Sequence, residues 1–128
     1  MDPQRLRKID LFAALADDEL ERLAQMAQET SVEEGAALMK AGTWAYQMFA
    51  IEDGSVEVLR DDERIAALTA GDVVGETGAV NRALRNATVR ATTPLSVIYF
   101  TQADIDRVRR EIPDLDERLQ SVLSERER

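Results

Sequence analysis

The sequence contains neither cysteine nor histidine. Disulfides, thiolate nucleophiles, Cys/His zinc sites, Ser-His-Asp triads and imidazole acid–base chemistry are thereby excluded. No other catalytic or metal-ligating constellation takes their place, so no enzymatic activity, metal or cofactor is expected. An excess of positive charge is also missing. Sixteen Lys and Arg stand against twenty-five Asp and Glu, a formal charge of −9 with a pI near 4.5. Whole-surface attraction to nucleic acid or anionic lipid runs on positive charge, so neither is expected as a partner of this chain alone. No run approaches the roughly 18 apolar residues of a membrane span; the longest charge-free stretch, Ala91 to Ala103, carries several polar residues and Pro94. Leu11 to Ala16 is too short for a signal peptide and meets Asp17-Asp18-Glu19 where a cleavage site would be, so a cytoplasmic location is expected. Internal repeats, low-complexity stretches and linkers are absent as well.

The chain has 128 residues, which suits a single domain over 1–128. Its start reads helical over 1–28. Leu6 to Leu15 should form a turn or two of helix. Leu20, Leu23 and Ala27 then recur at helical spacing, behind Asp17 to Glu19 in the first turn, where the helix dipole favours negative charge. From 29 to 100 the pattern changes to short strands and turns. Tyr46 to Ile51 reads as a strand, Asp53-Gly54 as a hairpin turn, and Ser55 to Arg60 alternates like a half-buried strand. Asp61-Asp62 and Ala70-Gly71-Asp72 turn the chain again, and Thr93-Pro94 separates the strand over Ala87 to Ala91 from Leu95 to Phe100. Seven or eight strands with turns every eight to twelve residues indicate a sandwich, jelly roll or barrel. Residues 101–128 are helical again: Thr101 with Asp104 resembles a capping box, Ile105, Val108 and Ile112 line one face, Pro113 breaks the run, and Leu115, Leu119 and Val122 mark a last helix.

The segment 71–91 interrupts the strands. Gly71, Gly75 and Gly78 fall within eight residues, so the backbone there is bent or closely approached. Glu76 opens a stretch to Arg82 able to form one or two helical turns, and Arg85 follows just before a strand of small residues. A short helix inside a β-roll points its free N–H groups at whatever lies beside its start, and an arginine nearby can close over the same anion. A carboxylate beside a phosphate would be repelled, so Glu76 is better matched to a neutral hydroxyl farther along the ligand. An anion with an adjacent hydroxyl suggests a ribose phosphate.

Gly71-Asp72, Gly75-Glu76 and Arg85-x-Ala87-Thr88-Val89-x-Ala91 together resemble the phosphate-binding cassette of cyclic nucleotide-binding domains. The resemblance covers nearly the whole chain: Leu11-Phe12 is similar to the opening helix, Gly54-Ser55-Val56 to the strand-and-turn skeleton, and Ile112-Pro113-Asp114-Leu115 to the junction of the last two helices. It implies a mainly β fold, an eight-stranded antiparallel β-roll of jelly-roll type. An N-terminal helical segment, a short cassette helix and two C-terminal helices would flank the roll. It also implies a cAMP or cGMP ligand, with cAMP favoured. Glu76 would accept the ribose 2′-hydroxyl, Arg85 would pair with the cyclic phosphate, and N–H groups around Gly75 and of Ala87 would complete the cradle. Thr77-Gly78 departs from the usual large-then-small pair, and Asn86 replaces a usual Ser, Thr or Ala, so both bear on base preference and affinity. Leu119, Val122 and Leu123 on the last helix would lid the base, pair with a second copy in a homodimer, or pack back on the roll.

Plainer readings stand beside these. Glu76 and Arg85 could form an ion pair on a loop rim, Gly54 and Gly71 serve turns, Arg82 reads as a solvated arginine, and Trp44 and Tyr46 read as core or sheet-surface aromatics. The expected function is a regulatory sensor whose C-terminal helices shift on binding cyclic nucleotide and act on an effector, either a separate protein or a missing part of a longer one. The alternative is a protein-interaction or dimerisation module with a vestigial pocket.

Overall fold

The structure, a computed structural model, describes residues 1–42, 47–75 and 87–126, with side chains through Val122. The described elements are α1 (Pro3–Leu6), a 3-10 turn η1 (Asp10–Phe12) and α2 (Asp17–Met26), then β1 (Gln28–Val32), β2 (Ala37–Met39), β3 (Gln47–Asp53), β4 (Ser55–Arg60) and β5 (Glu63–Thr69). They continue with β6 (Val73–Val74), β7 (Thr88–Ala91), β8 (Leu95–Thr101), α3 (Gln102–Glu111) and α4 (Pro113–Arg126). Eight antiparallel strands form two four-stranded sheets, β1-β8-β3-β6 and β2-β7-β4-β5. This is the β-roll with flanking helices expected from the sequence; the short cassette helix falls outside the described residues.

Two apolar cores explain the strand sequences. Phe49, Ile51, Val56, Val74, Val89, Ala91, Leu95 and Val97 meet between the sheets. Met48, Ala50, Ile98 and Phe100 point the other way and pack under the helices, against Phe12, Leu20, Ile105, Val108, Leu115 and Leu119. Phe12 and Phe100 meet edge to face, with centroids 5.7 Å apart. The first sheet is therefore covered on both faces along β3 and β8. That is why Met48 to Ile51 reads as an unbroken apolar run with no alternation.

Several local expectations need correction. Asp53-Gly54 is not a hairpin turn, because β3 pairs with β6 and β8 while β4 pairs with β5 and β7. Gly54, at φ 102°, is a corner that carries the chain from one sheet to the other. The tight hairpin is at Asp61-Asp62, both at positive φ (53° and 62°), the backbone signature of a two-residue turn matched to strand twist. The helical turns expected over Leu6 to Leu15 split into α1 and η1, and Ala27 caps α2 instead of extending it. The two-residue β6 was not anticipated, being too short to show a period. At the far end the capping box is present: Thr101 Oγ1 accepts from the Asp104 N–H at 3.2 Å, and Asp104 Oδ2 accepts from the Thr101 N–H at 3.4 Å.

Candidate functional site

The described residues fix where the segment 76–86 begins and ends. β6 runs antiparallel to β3, with Val73 opposite Ala50 and Val74 opposite Phe49, so Gly75 leaves the first sheet toward the Gln47 end. The chain is described again at Ala87, and Thr88 lies opposite Leu59 on the second sheet. The Gly54 corner joins the end of β3 to the start of β4, so Leu59 and Gln47 lie at the same end of the sandwich. The segment thus connects the two sheets at one end.

Its entrance is held tightly. The Gly71 N–H donates to the Ile51 carbonyl and the Ile51 N–H donates to the Asp72 carbonyl, both at 2.9 Å. Asp72 Oδ2 accepts from the Thr69 N–H at 2.9 Å, closing the turn. The Gly71 carbonyl accepts from the Asp10 N–H at 2.9 Å, which ties the turn to η1. A side chain there would be strained and crowded: φ is 99°, which favours glycine, and a Cβ would lie 3.3 Å from Asp10 Oδ1. Gly75 is likewise at positive φ, 83°, a conformation other residues adopt only with strain. At the exit, Ala87 is buried and the Thr88 hydroxyl accepts from the Ala41 N–H at 3.1 Å.

Toward this end the described apolar residues are less completely buried. Met39 and Val58, both aligned with Val89, are only half-buried. Ile65, beside a register shift in the β4–β5 pairing, is 47% exposed, and among the described residues the only other large apolar side chain so exposed is Met1. Met39 and Val58 thus give the second sheet a half-buried apolar face beside the Thr88 end of the connecting segment, while Ile65 is exposed on β5. Sequence reading missed these three residues; the alternation of β4 marks Val58, while nothing local marks Met39 or Ile65.

Of the expected site residues, Gly75 and Ala87 stand at the two ends of the connecting segment. Glu76, Thr77, Gly78, Arg85 and Asn86 lie outside the described residues, as do Arg82, Trp44 and Tyr46. Leu119 is fully buried, facing the helical core, and Val122 is partly buried against the same core; the Leu123 side chain lies outside what is described. Among the described residues, no helix is long and apolar enough to cross a membrane, and no group of acidic residues is placed to hold a metal ion.

The profile of the cyclic nucleotide-binding domain matches residues 29–111, spanning the whole connecting segment and both sheets. The chain belongs to this family. It is 28% identical over 104 residues, 80% of its length, to the cAMP-dependent protein kinase regulatory subunit of Schizosaccharomyces pombe, and covers 25% of that protein. The chain thus spans about a quarter of the length of this curated relative. A putative cyclic nucleotide-binding protein from Geobacter metallireducens shares the fold at a TM-score of 0.82 and 23% identity, covering 94% of this chain and 91% of that one. So does the regulatory subunit of a cAMP-independent protein kinase A from Trypanosoma brucei. Its TM-score is 0.85 at 22% identity, with 93% of this chain and 43% of that one covered.

On the helical side of this cyclic nucleotide-binding domain, charged contacts anchor the N-terminal elements. Arg5 Nε donates to Glu52 Oε2 at 2.7 Å, and its Nη2 donates to Glu52 Oε1 and to Glu29, joining α1 to β3 and β1. The Arg5 guanidinium holds the Glu52 carboxyl below the usual glutamate range. Arg7 Nη1 donates to the Ala13 and Leu15 carbonyls at 3.1 Å, and its Nη2 pairs with Asp17 at 2.6 Å. One side chain thereby fastens the loop between η1 and α2.

Proposed function

We propose that this domain binds a 3′,5′-cyclic nucleotide, cAMP in preference to cGMP, between the segment 75–87 and the half-buried apolar face of the second sheet. Arg85 pairs with the cyclic phosphate, Glu76 accepts the ribose 2′-hydroxyl, and N–H groups around Gly75 and of Ala87 complete the cradle. Thr77, Gly78 and Asn86 adjust the fit, the Asn86 amide remaining able to donate a hydrogen bond. Met39 and Val58 receive the base. The observation that carries this reading is the family match over 29–111, which encloses the cassette residues at their spacing.

Binding shifts the population of arrangements of α3 and α4, and through them acts on an effector, in the cytoplasm. Leu115, Leu119 and Val122 face the chain's own core here. A lid or a homodimer built on α4 therefore requires either the helix to be released or residues past Val122, Leu123 among them.

Calorimetric titration with cAMP and cGMP, with Arg85→Ala as control, tests the reading. Saturable binding is expected, weakened about 100-fold or more in the variant, the effect of removing one partner of a desolvated charged pair. Heat-free titrations with both nucleotides, from protein free of co-purified ligand, would favour an interaction module with a vestigial pocket. The likeness to a cAMP-independent kinase subunit keeps that reading in play, since the fold alone does not choose the ligand.

A further inference from the structure

At the end of the sandwich opposite Gly75, a groove of about 530 Å³ opens to solvent. The strand pairs Val32–Leu95 and Asp53–Ser96 bring the end of β1, the end of β3 and the start of β8 side by side there, at the Gly54 corner. Leu95, 3% exposed, and the half-buried Val32 give the groove an apolar floor, which Pro94 extends. Glu33, Glu34 and Asp53 stand around that floor, each exposed, and among the described residues no Lys or Arg lines it. None of these carboxylates makes an ion pair or a side-chain hydrogen bond among the described residues. The contrast with the next position is sharp, since Glu52 is held by Arg5 and Asp53 is left unmatched.

We propose that this groove docks a partner protein through a lysine or arginine side chain of that partner. Its stem lies over Leu95 and Val32, and its charge sits among Glu33, Glu34 and Asp53. Lysine and arginine bury their methylene stems along apolar surface while keeping the charged tip at a wet rim, which is the division this groove offers. A metal ion does not fit, because among the described residues no group of carboxylates is placed to hold one. A free small cation gains little here, since a single exposed ion pair is weak and salt-screened. A side chain positioned by a folded partner avoids that weakness, because the partner adds contacts of its own around the groove. The formal charge of −9 draws basic surfaces toward the chain, and the unmatched carboxylates give them a place to register. Gly75 leaves the first sheet at the opposite end of β3, so a partner docked here does not compete with a ligand held by 75–87.

The test uses the full chain, isotope-labelled, and the synthetic peptide acetyl-Ala-Lys-Ala-Lys-Ala-amide as the probe. Backbone amide shifts are followed by NMR as the peptide is added at low salt, without nucleotide. Saturable shifts are expected at Val32, Glu33, Leu95 and Ser96; no saturation, or shifts that spare these residues, overturns the proposal. Affinity should fall about fivefold or more in Glu33→Gln/Glu34→Gln/Asp53→Asn. It should fall roughly twofold at most in Asp18→Asn/Glu21→Gln/Glu117→Gln, which removes the same charge from exposed positions elsewhere. Equal losses in the two variants mean whole-surface attraction only, and overturn the groove. A peptide with diaminopropionate in place of lysine keeps the charge and loses the stem. It should bind about threefold more weakly, and equal binding overturns the part given to Leu95 and Val32. Cyclic nucleotide affinity should be unchanged in the groove variant. Should the wild-type chain bind neither cAMP nor cGMP, the proposed function fails, while the peptide titration still decides the groove.

Discussion

Gly54 shows how much a single missing side chain can hold. A Cβ there would lie 2.4 Å from the Pro94 carbonyl oxygen and 2.8 Å from Leu95 and Thr93 side-chain atoms, at a φ where other residues are strained. Gly54→Ala should cost about 2–4 kcal/mol, from strain and overpacking together, measured as a shift in urea midpoint at constant m-value. The residue that looked like a hairpin glycine is in fact a packing requirement, and no local signal separates the two: the clash comes from residues about forty positions away. Glu52 carries a different kind of information. Its carboxyl titrates lower folded than unfolded, so its contribution is present above the unfolded glutamate value and lost as pH falls through the folded one. Thermal melts of Glu52→Gln should run a few degrees below wild type at pH 7, and the two curves should converge as the medium is acidified past the carboxylate range.

At the scale of elements, the caps and turns were largely legible and their partners were not. Thr101 and Asp104 are three apart, the spacing at which a hydroxyl and a carboxylate can satisfy each other's backbone, and the structure shows both bonds. Thr101→Ala should therefore cost about 1 kcal/mol, read as a lower melting temperature with unchanged far-ultraviolet circular dichroism. The Asp61-Asp62 turn invites a gain. Both residues sit at positive φ, where aspartate is tolerated and Asn-Gly is preferred. Asp61→Asn with Asp62→Gly should stabilise the β4–β5 hairpin by about 1 kcal/mol, seen as a higher urea midpoint. Which strand lies beside which is another matter. The alternation of Ser55 to Arg60 announces a half-buried strand, but nothing in it says that the neighbours are β5 and β7, with β3 in the other sheet. Sheet membership is decided by long-range burial. The two-residue β6 exists only because Ala50 and Phe49 offer it a partner.

For the molecule as a whole, a ligand that binds only the folded state must raise its stability. A cyclic nucleotide at a hundred times its dissociation constant should add about 2.7 kcal/mol, visible as a rise in melting temperature that grows with nucleotide concentration. Arg85→Ala should abolish the rise without changing the unliganded melt. Of the candidate site, the described residues include the two ends of the connecting segment. Gly75 and Ala87 were named from glycine spacing and family likeness, and they prove to mark where the chain leaves one sheet and rejoins the other. Met39, Val58 and Ile65 were not named, because they come from β2, β4 and β5, whose places in the second sheet are set by long-range pairing.

β3 and β8 carry no face that meets solvent along their middle, since one side belongs to the core between the sheets and the other to the core under the helices. The pair is a party wall. Adjacent residues such as Phe49 and Ala50, or Val97 and Ile98, answer to different compartments, so a change at one position can be compensated only from its own side. Substitution tolerance mapped along the chain should therefore show no two-residue rhythm in these strands. Second-site suppressors should sort into two groups that do not mix: β4 and β7 residues rescuing one parity, helix residues rescuing the other.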